Sequence, residues 1–126
     1  MIDHISIAVR DLGASAAFYE RLLAPLGLRR LVERAATVGF GKTYPELWLN
    51  LRPGMPPVAS DTGCHYCLRA RDEAAVRDFH AAALAAGGSS DGAPGPRQGE
   101  RTRYYGAFIR DLDGNRIEAA NFPRPG

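Results

Sequence analysis

Apolar and polar residues alternate along HISIAVRD at residues 4–11, with Ile5, Ile7 and Val9 facing one way and His4, Ser6 and Ala8 the other. That period of two predicts a half-buried strand. The period then lengthens: Phe18 and Leu22 share one face of a helix at i, i+4, with Asp11 suited to cap its start and Gly27 its stop near Pro25. Two further apolar segments, LVERAATVGFG and PELWLNLRP, read as strands, with Gly39 and residues 41–43 as turn material.

The same order recurs. Setting residues 4–27 over residues 65–88 at a constant offset of 61 places His4 on His65, Arg10 on Arg71, Asp11 on Asp72, Phe18 on Phe79 and Gly27 on Gly88. The matches fall on the strand start, the helix start, the helix core and the helix stop, so the chain reads as two copies of one unit. After the second helix come a loop over residues 89–103 and a hairpin, YYGAFIRDLDGNRIEAANF, turning at Asp113-Gly114. The fold class predicted is α+β, a single domain of two tandem βαβββ modules: module one at about 1–52, a linker at 53–63 rich in proline and small residues, and module two at about 64–122.

Length and composition agree with one domain. A chain of 126 residues with 45% hydrophobic content can bury a single core. The formal net charge is only +2, which argues against nucleic acid or an anionic membrane as partner and leaves a small molecule. No signal-peptide pattern opens the sequence and no apolar run approaches the ~20 residues of a membrane span, so a cytoplasmic protein is expected. The two cysteines are expected as free thiols.

Within GCHYCLRA, alternation puts His65, Cys67 and Arg69 on one face and Cys64, Tyr66 and Leu68 on the other, which separates the thiols and makes Cys64 a core candidate. His4 and His65 hold equivalent places in the repeat. A hairpin centred on Asp113-Gly114 pairs Glu118 with about Phe108 and sets Gly106 and Tyr104 on the carboxylate's side. Aligning RIEA with WLNL places Asn50 where module two has Glu118. Two imidazoles and a carboxylate are the donor set of open iron(II), manganese, zinc or nickel sites, so His4, His65 and Glu118 are the candidate metal ligands. Tyr104 is a candidate hydrogen-bond donor beside Glu118, and Arg69 a candidate partner for an anionic group. Trp48, Asn50, Cys67 and Phe108 complete the candidate substrate-binding set, and the glycines at 92, 95 and 99 suggest a lid over residues 89–103. The other reading of the same face is a metal-free cleft lined by Trp48, Tyr66 and Phe108 that sequesters an aromatic or cationic ligand.

With these motifs the chain resembles the vicinal oxygen chelate superfamily of glyoxalase I, extradiol dioxygenases, fosfomycin-resistance proteins and bleomycin-binding proteins. HISIAVRDLGASAAFYERLL looks like its opening strand and helix, and DLDGNRIEAANF like its closing D-P-D-G-x-x-x-E hairpin, with Leu112 at the proline position. The resemblance implies a cupped sheet, His4, His65 and Glu118 as ligands of a divalent metal, a homodimer, and chelation of a small oxygen-rich substrate by a lyase, isomerase or dioxygenase. Asn50 then stands where glyoxalase I enzymes carry a second acidic ligand, which speaks against the standard isomerisation.

Overall fold

The computed structural model describes residues 1–123. Module one runs β1 (Ile5–Val9), α1 (Leu12–Leu23), a 3-10 turn at Ala24–Leu26, β2 (Arg29–Glu33), β3 (Thr37–Gly41) and β4 (Pro45–Leu51). Module two runs β5 (Tyr66–Arg69), α2 (Glu73–Ala85), β6 (Ser89–Gln98), β7 (Arg103–Arg110) and β8 (Arg116–Asn121). Each module forms its own four-stranded sheet, ordered β1-β4-β3-β2 and β5-β8-β7-β6, with the first and last strands parallel and the remaining pairs antiparallel. The repeat and the βαβββ order expected from the sequence are therefore both present.

The helices start where a side chain satisfies the free amides of the first turn. Asp11 Oδ1 accepts from Ala14 N at 3.0 Å, and Asp72 Oδ1 accepts from Ala75 N at 2.8 Å. Gly27 (φ 82°) and Gly87 (φ 103°) end the two helical stretches in the left-handed region that other residues resist. The apolar faces of α1 (Phe18, Leu22, Leu23) and α2 (Val76, Phe79, Ala83) meet Ile7, Val9, Leu47 and Leu49 of one sheet and Ile109, Ile117 and Ala119 of the other in one core. Both helices lie on the same side of their sheets, so the opposite strand faces are left open. Those faces carry the other half of each alternation, Glu118 and Tyr104 beside the rings of Trp48 and Phe108.

Two sequence expectations change. Residues 89–98 are the edge strand β6 and not a lid, because register shifts against β7 absorb Pro94 and the glycines at 92 and 95. Cys64 is exposed ahead of β5 and not part of the core; both cysteines are free and exposed. The strand begins at Tyr66, so its alternation does not extend back to Cys64.

The modules are tied together by the β7–β8 turn. Asp111 Oδ2 accepts the buried Tyr19 hydroxyl at 2.6 Å and the Asn115 amide at 2.9 Å, while its Oδ1 accepts the backbone N–H groups of Asp113 and Asn115. Asp113 Oδ1 takes the backbone N–H of Arg10 at 3.1 Å and its Nε at 2.9 Å, and Asn115 donates to Ala8 O at 3.2 Å. Burial raises the Tyr19 hydroxyl well above its usual pKa, with the Asp111 charge adding to the shift, so the phenol stays a donor. Tyr19→Phe removes one donor from a buried carboxylate and should lower stability by about 1–3 kcal/mol in denaturant unfolding, without loss of secondary structure.

His80 is buried against Ser90, with Nε2 and Oγ 2.8 Å apart, and burial lowers its pKa. Between that depressed value and about 6.5 the unfolded chain binds more protons than the folded one, so stability falls as pH is lowered through the window. A pH series of thermal midpoints should show this loss, and His80→Gln should flatten it.

Candidate functional site

The open face of module two gathers most of the residues singled out from the sequence. In β8, Glu118 stands opposite Cys67 of β5 and Phe108 of β7, as hairpin counting required. Its carboxylate is buried, with the side chain 4% exposed, and has a partner on each oxygen. His65 Nε2 lies 3.1 Å from Oε1, and the Tyr104 hydroxyl donates to Oε2 at 2.8 Å. Tyr104 reaches the carboxylate by lying across Gly106: a Cβ there would come within 2.9 Å of Tyr104 Cε2 and 3.1 Å of Glu118 Oε2. The glycine is required by close approach, since its backbone is not in the left-handed region.

Aromatic rings flank the carboxylate. The rings of His65 and Phe108 have centroids 5.7 Å apart, and Tyr104 stacks on Phe122 at 4.8 Å with an interplanar angle of 23°. Cations cover the outer ring faces: the Arg97 guanidinium lies 5.8 Å from the Phe108 centroid and that of Arg69 lies 5.1 Å from the Phe122 centroid. Beside His65 is a cavity of ≈ 270 Å³ whose walls include Phe108, Asp91 and Arg116. Arg116 Nε donates to Asp91 Oδ2 at 2.8 Å and holds that carboxyl below its usual range.

The surroundings fix which groups can ionise. Burial, followed by the hydrogen bond to Glu118 and its charge, pushes the Tyr104 hydroxyl up to about 12. Cys67 is exposed as a residue but turns its thiol toward Glu118, where loss of solvent and then the Glu118 charge push it up to about 12. Both stay protonated at neutral pH; Cys67 is a neutral wall of the site and not a nucleophile.

The predicted residues do not all converge. His4 is exposed ahead of β1, and its Nδ1 contacts Asp3 Oδ1 at 2.7 Å. Among the described residues no group of three or more His, Cys, Asp and Glu side chains could hold a metal ion, so a single chain brings together His65 and Glu118 without His4. Tyr66 packs on the core and does not line the open face. The place of Asn50 also changes. Ser6, the repeat counterpart of Cys67, stands opposite Trp48, so Trp48 and not Asn50 is the module-one counterpart of Glu118. Asn50 lies one alternation further on, opposite Ala8 and Thr37, with its Oδ1 3.4 Å from Thr37 Oγ1. Aligning four-letter segments had hidden a shift that strand register reveals. Trp48 fills its face by lying over Gly39, where a Cβ would come within 2.9 Å of the ring, and Arg34 sits 5.7 Å from the ring centroid.

Two residues of this face, Arg97 and Phe122, were not singled out. Phe122 could have been, since it extends the alternation of Glu118 and Ala120. Arg97 could not, because nothing in a proline- and glycine-rich segment announced a strand.

A family model described as the Glyoxalase/Bleomycin resistance protein/Dioxygenase superfamily matches residues 1–119. The chain belongs to that superfamily. Solved structures agree: a glyoxalase/bleomycin resistance protein from Albidiferax ferrireducens T118 is 29% identical with a TM-score of 0.85, over 95% of this chain and 98% of that one. A bleomycin-binding protein solved in complex with bleomycin is 26% identical with a TM-score of 0.63, over 94% of this chain and 95% of that one. A superfamily enzyme from Burkholderia phytofirmans PsJN, at 19% identity and a TM-score of 0.72 over 95% of this chain and 97% of that one, shares the fold. No curated protein matches the chain. Among the described residues no helix is long and apolar enough to cross a membrane.

The superfamily cup in this chain makes a direct steric prediction. Gly106→Ala should push Tyr104 off Glu118, and the Tyr104 hydroxyl should then titrate at a lower pH, followed by its absorbance near 295 nm against Tyr104→Phe as the blank.

Proposed function

We propose that the open face of module two binds a small oxygen-rich molecule through a divalent cation held by His65 and Glu118, with His4 of a second copy completing the site. The observation that supports this reading is the His65 Nε2 to Glu118 Oε1 approach of 3.1 Å beside the rings of Phe108 and Tyr104. One imidazole and one buried carboxylate are two donors of a three-donor set, and in one chain the set is incomplete. His4 holds the repeat-equivalent place at the head of β1 and is half exposed, at 52% of its side-chain surface, so a second copy has access to it. A homodimer that sets module one of one copy against module two of the other supplies the missing imidazole.

A cation bound there supplies Lewis-acid chemistry, polarising adjacent oxygens of the bound molecule. The chain's own residues do the rest. Tyr104 holds Glu118 in one orientation and keeps its second oxygen from turning away. Phe108, with Trp48 from the facing module, shields the bound molecule from water, and Arg97, over the Phe108 ring, presents positive charge for an anionic substituent. With Trp48 in the register position of Glu118, module one places no carboxylate at that position. Without a symmetry-related pair of acids, proton transfer between neighbouring carbons has no second base at that position, which speaks against an isomerase.

Metal content of tag-free protein, measured by ICP-MS with manganese, iron, nickel or zinc supplied, tests the reading. Wild type should retain a cation, while His4→Ala and Glu118→Gln should each retain little. Refolding the two variants together should restore up to one site per mixed dimer, because His4 of one and His65 with Glu118 of the other are both intact. Near-zero metal in wild type together with saturable binding of an aromatic ligand would instead support a metal-free sequestering protein, like the bleomycin-binding relative.

A further inference from the structure

The two seams between the modules are related by the internal repeat but differ in charge. In one seam the β7–β8 turn, residues 111–115, reaches the β1–α1 junction, where Asp113 Oδ1 accepts both the backbone N–H and Nε of Arg10. The other seam lies between the β3–β4 turn and the β5–α2 junction, where Arg71 takes the place of Arg10. That turn is shorter, residues 42–44, and begins with Lys42 where the longer one begins with Asp111. Among the described residues no hydrogen bond joins it to the β5–α2 junction, and a cavity of ≈ 590 Å³ remains. Lys42, Arg69 and Arg71 line it, with Asn121, Phe122 and Leu26 as its other principal walls, and no acidic residue lines it.

We propose that this cavity binds a small organic carboxylate, which takes the place Asp113 holds in the opposite seam. The volume falls within the range of small-molecule sites. The cations are weakly compensated. Arg71 Nε lies 3.6 Å from Asp72 Oδ2 with both side chains exposed, and the Lys42 side chain has no ion pair among the described residues. Glu46 accepts the Lys42 backbone N–H at 3.4 Å and lines a neighbouring cavity of ≈ 160 Å³ with Lys42 and Arg69, so the larger cavity itself keeps no acidic wall. The Arg69 guanidinium lies 5.1 Å from the Phe122 ring centroid, and both residues line the cavity. A guanidinium fork matches a planar carboxylate, and Phe122 with Leu26 offers apolar surface to the remainder of such a ligand. The same Phe122 stacks on Tyr104, so an occupant here touches a ring adjoining the Glu118 face.

The test is an amide-resolved NMR titration of the full chain with sodium benzoate, referenced to sodium chloride at equal ionic strength, with inorganic phosphate as a second arm. Saturable shifts should centre on Lys42, Ala70 and Arg71. Arg71→Gln, an exposed position whose replacement spares the fold, should weaken benzoate by about tenfold. Lys42→Asp, which supplies the seam with a carboxylate of its own, should abolish binding, and Glu118→Gln should leave it unchanged and so separate this site from the cup. Shifts that follow ionic strength alone, that centre on His65 and Glu118, or that saturate with phosphate and not benzoate would overturn the proposal.

Discussion

The structure hangs on two aspartates at the tip of one hairpin. Asp111 and Asp113 are buried, which is costly for carboxylates, and they are retained because module one offers them a phenol and an arginine with its backbone N–H. Their bonds span chain separations of about a hundred residues, from Arg10 and Tyr19 to Asp113 and Asp111. With the turn pinned, β8 is fixed against both β5 and the first module, and Glu118 is fixed with it. Glycine 114, in the left-handed region at φ 97°, lets the chain make that turn.

Duplication supplies two equivalent cups and two equivalent seams, and the chain has used each pair asymmetrically. In module two the central position of the last strand is an acid held by histidine and tyrosine; in module one it is a tryptophan folded over a glycine. One cup therefore carries ionic chemistry and the other carries aromatic surface. The seams divide in the same manner: the one with the long acidic turn is bridged by the Arg10–Asp113 ion pair, and the one with the short basic turn has no such bridge among the described residues. One half thus presents an imidazole beside a carboxylate and the other a large ring.

Within the working cup, order comes from packing as much as from charge. Gly106 admits Tyr104, Tyr104 holds Glu118, and Phe122 supports Tyr104 from behind while Arg69 covers its outer face. The raised pKa values of Tyr104 and Cys67 follow from the same crowding around one negative charge. The result is a carboxylate whose two oxygens have different neighbours, one a hydroxyl and the other an imidazole, and whose direction is set before any ligand arrives.

The repeat, the βαβββ order, the helix caps and the pairing of Glu118 with Phe108 were all legible in the sequence. Each depends on local periodicity, on a capping side chain or on counting outward from one turn. The edge strand over residues 89–98 was not legible, because its prolines and glycines erase the alternation and only β7 beside it makes it a strand. That one chain does not gather His4 with the His65–Glu118 pair, and that Trp48 and not Asn50 stands at Glu118's place in module one, were decided by tertiary structure. Periodicity says which side of a strand a residue faces, whereas strand register and the placement of whole modules arise from long-range contacts that no local pattern encodes.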